Sequence, residues 1–222
     1  MIKQALVSLI ILLAFPFSAM AIPAINCHCF TDRAYDPSRP EAADPYFLAA
    51  TQNTFFATVF GTEKKMIVRK KQQGTSMDDL WIAYWVAEKS DSSPESLLET
   101  RGTKNNWSEV SQQLGLSPKT MGASFANAVN NQASAERLAQ LVVDDLFTRF
   151  KIQSEVELAE IRKKGISNPE LILATLISAK TNQPAEKIYL EVTGGPKTWG
   201  EKIDEAKIDI SEIQKDFSIL LK

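Results

Sequence analysis

Both cysteines and the single histidine of this 222-residue chain stand at three consecutive positions, Cys27-His28-Cys29. Two thiols and an imidazole are soft donors, and three chemistries are open to them. The first is oxidation. With two cysteines the only intramolecular bridge joins Cys27 to Cys29. A loop of ~3 residues contributes about 1.6 kcal/mol of chain entropy, against about 3 kcal/mol for a loop of ~15. Such a bridge is a poor staple, and its strain makes it easy to reduce. The second is metal binding, for which Cu(I) or Zn(II) suits the donors. A structural zinc wants four ligands, usually in two separated pairs. Cys27, His28 and Cys29 supply three, so Cu(I) fits better, with Asp32 or a second molecule completing the set. The third is thiol exchange or covalent pairing with a partner, a thiolate beside an imidazole being open to a lowered pKa.

Other uses of the cluster are excluded. Thioredoxin-like chemistry uses Cys-x-x-Cys after a strand, and c-type haem attachment uses Cys-x-x-Cys-His. Neither occurs here. Adjacent residues of an extended arm point to opposite sides, so Cys and His28 do not form a nucleophile–base pair. Asp144, Asp145, Glu155 and Glu157 offer carboxylates, but no spacing marks an acid/base pair. No catalytic residue and no organic-cofactor site is identified, and ordinary hydrolytic chemistry is the least supported reading.

The compartment decides the fate of those thiols. Met1 to Ala21 runs Met-Ile-Lys, then an apolar stretch to Phe17, then Ser18-Ala19-Met20-Ala21. One cation, a short apolar core and an Ala-x-Ala ending are the parts of a secretory signal peptide, with cleavage expected after Ala21. The stretch is shorter than the roughly 20 apolar residues of a membrane span and carries Pro16. Cys27 follows Ile25-Asn26, which argues against lipidation. The expected location is periplasmic or secreted, where thiols oxidise, and no span is expected after cleavage.

The elements that must position this arm are helical. Asp44-Pro45, Ser93-Pro94, Ser117-Pro118 and Asn168-Pro169 pair a capping residue with a following proline, a helix start; Gln183-Pro184 is a weaker case. Ser76-Met77-Asp78-Asp79 has capping-box spacing. Gly61, Gly74, Gly102, Gly115 and Gly165 stand where helices should stop. Helices are expected near 45–60, 63–73, 77–90, 94–101, 107–114, 118–129, 134–149, 153–164, 169–180, 184–192, 199–206 and 211–221. Nothing alternates with period two, so strands are not expected. The fold class is all-α, a multi-helix bundle. It divides into a signal peptide (1–21), an extended arm (22–43) and two helical units (44–132 and 133–222).

The units look like copies. Leu80-Trp81-Ile82-Ala83, Pro94, Gly102, Trp107 and Leu114-Gly115-Leu116 parallel Leu171-Ile172-Leu173-Ala174, Pro184, Gly194, Trp199 and Ala206-Lys207-Ile208. The glycine-to-tryptophan spacing is the same in both, and the second lacks the turn glycine. Trp107 to Met121, with Leu114-Gly115-Leu116 at its centre, resembles a helix-turn-helix. The resemblance implies DNA reading only if the leader is not a signal peptide. The helix from Pro118 to Val129 offers one cation, Lys119, and the chain's net charge is −2. Nucleic acid is therefore not an expected partner. The pattern Trp107-x-x-Val110-x-x-x-Leu114-Gly115 is also similar to one in uncharacterised exported bacterial proteins, a resemblance that implies location and helical repeats and no activity.

The remaining candidates read as core and surface. Leu80, Trp81, Tyr84 and Trp85 fall on helical spacing, as do Phe47, Phe55, Phe56 and Phe60, and Leu138, Leu141, Val142, Leu146 and Phe150. Lys64, Lys65, Arg69, Lys70 and Lys71 form one basic surface and Arg162, Lys163 and Lys164 another, solvated faces or contacts for anionic lipid or an acidic partner. The expected function is binding to another exported component. The alternative is metal handling or thiol redox through Cys27, His28 and Cys29.

Overall fold

The computed structural model describes residues 30–222. Among the described residues there are thirteen helices and no strand. They are α1 (Asp44–Val59), α2 (Lys64–Gln72), α3 (Met77–Glu88), α4 (Pro94–Gly102), α5 (Trp107–Leu114), α6 (Pro118–Met121) and α7 (Ala123–Asn130). There follow α8 (Ala135–Arg149), α9 (Glu155–Lys163), α10 (Asn168–Thr181), α11 (Ala185–Thr193), α12 (Trp199–Glu205) and α13 (Ile213–Leu220).

Local chemistry sets most boundaries. Ser76, Ser93, Asn106, Ser134 and Thr198 each accept a hydrogen bond from the backbone N–H three residues on. Each thereby satisfies one of the donors a helix start leaves open. Ser154 and Glu157 close a reciprocal capping box on α9. Residues 30–43 carry no helix and run as bends and turns up to α1.

Four expectations need correction, and two of them are helix starts displaced by one residue: the cap of α10 is Ser167 and not Asn168, and that of α11 is Pro184 and not Gln183. The helix read over 118–129 is broken: Gly122, at φ 79° and ψ 152°, ends α6 and begins α7. That backbone conformation is open to glycine and to few other residues. Asp44 was read as the cap of its own helix, but α1 begins at Asp44, and Ala43 before it makes no side-chain cap. The Asp44 carboxylate instead accepts from the backbone N–H groups of Trp199 (3.1 Å) and Gly200 (2.7 Å) at the start of α12.

One core runs through both halves of the chain. Helices α1, α3 and α10 carry buried residues around most of their circumference, the pattern of a helix packed on all sides. Phe55 of α1 is the hub. Its ring lies 6.1 Å from Trp81 of α3, 5.5 Å from Phe147 of α8 and 5.2 Å from Phe217 of α13. Phe56 adds an edge contact with Trp81 at 4.7 Å. Aromatic pairs at such separations contribute roughly 0.5–1.5 kcal/mol each beyond their buried area. The segments 44–132 and 133–222 thus share a single apolar interior.

Candidate functional site

Cys27, His28 and Cys29 lie outside the described residues. The described arm begins just after them and is well anchored. The Phe30 ring meets Tyr46 edge-on at 5.7 Å, and the Arg33 guanidinium stands 5.9 Å from the centre of the same ring. Further along, the Thr198 hydroxyl donates to the Pro40 carbonyl at 3.2 Å. A Cβ on Gly200 would come within 2.8 Å of the Tyr35 ring, so glycine is what lets the arm lie against α12. Asp32, the oxygen donor expected to help a metal, accepts from Thr31 (2.9 Å) and Arg39 (2.7 Å). Those two bonds hold its carboxyl below the usual range. Among the described residues no group of three or more His, Cys, Asp or Glu is arranged to hold a metal ion.

The segment resembling a helix-turn-helix has the expected turn. Gly115 takes φ 60° after α5, and the Leu116 N–H returns to the Ser111 carbonyl at 3.0 Å. The helix that would enter a groove is the one Gly122 divides. Its Met121, Phe125, Ala126 and Val129 are buried in the core, and the Phe125 ring packs 4.6 Å from Trp85. Leu80, Trp81 and Trp85 are likewise interior. The Trp85 indole N–H donates to Asp145 (2.7 Å), and Arg162 donates to Asp144 (2.9 Å), so both carboxylates are engaged.

A cleft that none of these readings anticipated lies among α9, α10, α11 and α13, with a volume of about 420 Å³. Its walls are Ile152, Val156, Ile161, Ala185 and Leu220, and its polar lining includes Gln153, Thr175 and Ser178. This volume is within the usual range for small-ligand sites, roughly 300–1,000 Å³. Its polar groups are unusual. Thr175 is 5% exposed, and its Oγ1 has no hydrogen-bond partner among the described residues. Several helical threonines donate to the carbonyl four residues back, among them Thr54 to Ala50 (2.7 Å), Thr148 to Asp144 (3.0 Å) and Thr181 to Ile177 (2.9 Å), whereas buried Thr51 of α1 is unpartnered like Thr175. The Oε1 atoms of Gln153, in the cleft lining, and Gln183, beside the lining residue Pro184, are also buried and unpartnered. Each such atom forgoes about 1–3 kcal/mol. Buried polar groups normally find partners, and exceptions concentrate where a fold serves something besides its own stability.

The rim is acidic but compensated. Glu157 accepts from the Ser154 N–H (2.9 Å) and hydroxyl (2.7 Å), bonds that keep its carboxyl below the usual range. Glu160 meets Lys163 at 2.6 Å, and Glu186 meets Lys164 at 3.6 Å. Val156, at the mouth, is 73% exposed. The cleft therefore offers an apolar interior, the Gln153 amide oxygen and the Thr175 hydroxyl with unused hydrogen-bonding capacity, and Gln183 lines the neighbouring cavity beyond Pro184.

The cleft leaves little mark on the sequence for a definable reason. Thr175 is the one polar residue in Leu171-Ile172-Leu173-Ala174-Thr175-Leu176-Ile177, and a helical threonine is ordinarily satisfied by its own backbone. One local signal was present. Gln153 and Gln183 each stand one residue before a helix cap, Ser154 and Pro184, where an apolar staple residue is common.

No family model, curated protein or solved structure matches the chain.

Proposed function

We propose that the protein is an exported binding module whose α9–α10–α11–α13 cleft takes a peptide segment of another exported component. That segment presents an apolar side chain flanked by N–H donors. The observation that carries this reading is the pair of buried, unpartnered oxygens, Gln153 Oε1 and Thr175 Oγ1, in the lining of one cleft. Amide oxygens accept hydrogen bonds and cannot donate them, so the complementary group is a donor, which a peptide segment supplies as its backbone N–H. The volume suits one side chain and its flanking amides. Export follows from the leader, Met1 to Ala21.

The test uses leucinamide and N-acetyl-leucyl-leucinamide as probes in an NMR titration of the purified protein. Expected are saturable shifts at Gln153, Thr175 and Ser178, lost in Thr175→Val. That variant removes an unpartnered hydroxyl at nearly constant volume, so it should also raise stability by about 1 kcal/mol. A protein that shifts with neither probe, or a Thr175→Val variant that binds as well as the parent, overturns the reading.

A second reading rests on Cys27, His28 and Cys29 and assigns the arm to Cu(I) or Zn(II) binding or to thiol exchange. Free-thiol counting and titration of Cu(I) and Zn(II) on the reduced protein test it. Stoichiometric binding lost in Cys27→Ser supports it, and equal behaviour of parent and variant removes it. Export is checked by fractionation and N-terminal sequencing, with a chain beginning at Ile22 as the expected product.

A further inference from the structure

The two basic runs of the sequence have opposite fates in the fold. Arg162, Lys163 and Lys164 are spent internally, on Asp144 (2.9 Å), Glu160 (2.6 Å) and Glu186 (3.6 Å). Helix α2 is different. It reads Lys-Lys-Met-Ile-Val-Arg-Lys-Lys-Gln and contains no acid. Lys70 pairs with Glu95 at 3.3 Å, and Lys71 donates to the buried Asn53 at 3.2 Å. Lys64, Lys65 and Arg69 have no ion-pair partner among the described residues.

Helix stability does not account for this charge. Arg69, Lys70 and Lys71 stand in the last turn, where cations suit the helix dipole. Lys64 and Lys65 stand in the first turn, where they oppose it, and the single acid at that end, the N-cap Glu63, stands against two cations. Nor does packing account for it. Ile67 is the one buried residue of α2, and Met66 is exposed. On a helix Met66 neighbours Arg69 and Lys70, three and four positions on. The outer face therefore sets an uncharged thioether among cations whose alkyl stems can lie flat on an apolar layer.

We infer that α2 is a docking face for a bilayer surface bearing anionic phospholipid, with Lys64, Lys65 and Arg69 meeting headgroup phosphates and Met66 entering the headgroup boundary. Clustered lysine and arginine of this kind are drawn to an anionic bilayer surface by charge. None of the clefts identified among the described residues is lined by residues of α2, so its cations stand on an open face and not in a groove that would hold a peptide. The inference is independent of the cleft, which is on other helices.

The test is co-sedimentation of the whole protein with vesicles of phosphatidylglycerol and phosphatidylethanolamine, against phosphatidylcholine vesicles. Expected is binding to the anionic vesicles alone, weakened tenfold or more by raising salt from about 50 mM to 300 mM, when surface charge is screened. Lys64→Gln/Lys65→Gln/Arg69→Gln should lower vesicle affinity at least tenfold. Lys104→Gln/Lys207→Gln/Lys222→Gln, which removes the same charge elsewhere, should change it less than twofold. Met66→Ser should weaken binding severalfold at constant charge. The inference fails if anionic vesicles are not bound at low salt, or if the two triple variants lose affinity equally. It also fails if the protein binds polyglutamate while ignoring vesicles, which would make α2 a face for an acidic protein. Circular dichroism of each variant, with helicity unchanged, separates lost binding from lost fold.

Discussion

Helices α5 and α12 start and stop alike but are held by different means. Each begins with a capping side chain, Asn106 or Thr198, followed by a buried tryptophan, Trp107 or Trp199. Each ends in a left-handed residue whose successor's N–H returns to the helix: Leu116 to Ser111 after Gly115, and Ile208 to Ile203 after Lys207, both near 3.0–3.1 Å. Gly115 has φ 60° and Lys207 φ 52°. The turn that seemed missing from the second segment for want of a glycine is therefore present, made by a lysine. The anchors differ. The Trp107 indole donates to Asp79 of α3 at 2.8 Å, and Arg101 donates to the same oxygen at 3.1 Å. Helix α12 is fixed through its backbone, by the Asp44 carboxylate reaching from α1. The first anchor spans 28 residues and the second 155, which ties the arm and α1 to the later helices.

The largest expected effect follows from that second anchor. Asp44→Ala leaves two backbone N–H groups without their acceptor and should lower stability by about 2–3 kcal/mol, read by denaturant melts. A loss under about 0.5 kcal/mol would show that water replaces the carboxylate and that the long-range tie has little weight. Next are the tryptophans. Trp107→Phe and Trp199→Phe lose similar volume, but only the first removes a side-chain bond to a carboxylate. The Trp107 variant should therefore be the less stable by about 1–2 kcal/mol. Equal losses would mean that packing alone holds α5.

Acidity sharpens the comparison further. Burial pushes the Asp44 carboxyl above its ordinary value, and the backbone N–H bonds from Gly200 and Trp199 offset this only in part. Since the folded state holds the proton more tightly, this group's contribution is fully present below the unfolded pKa. It is lost as pH rises through the folded one. Stability should therefore decline through this group as pH rises above about 4. Asp44→Asn should flatten that decline, as melts across a pH series would show.

The smallest effects carry opposite signs at the paired turns. Gly115→Ala forces a Cβ into the left-handed region and should cost about 1 kcal/mol. Lys207→Gly relieves the same strain and should be neutral or stabilising by up to about 1 kcal/mol. The same sign at both positions would mean that the turns are not equivalent.

Much of the fold was legible because its signals are local. Ser93-Pro94 starts α4 and Ser154 starts α9 through contacts within three residues, so no distant part of the chain needs to be known. Gly122 was legible in principle, being a glycine inside an apolar helical pattern, and was read through. The candidate cleft was not legible. Its oxygens count as unpartnered only once α9, α10, α11 and α13 enclose them, and a threonine or glutamine looks the same in sequence whether satisfied or not.

By itself the sequence determined the all-helical class, most of the helices, caps such as Ser76 and Ser93, and the expectation of a leader, since periodicity, prolines and capping side chains act over one turn. Only the tertiary structure decided where long-range polar groups were spent. Asp44 went to α12 rather than to its own helix. Arg101 and Arg162 each bridged a carboxylate of an earlier helix to a later loop carbonyl, Lys104 or Ile166. The second basic run was paired throughout, while four of the five cations of α2 kept no acidic partner among the described residues. The physical reason is range. A cap is satisfied within its own turn, whereas a buried carboxylate or guanidinium is satisfied by whichever donor or acceptor packing brings within about 3 Å of it.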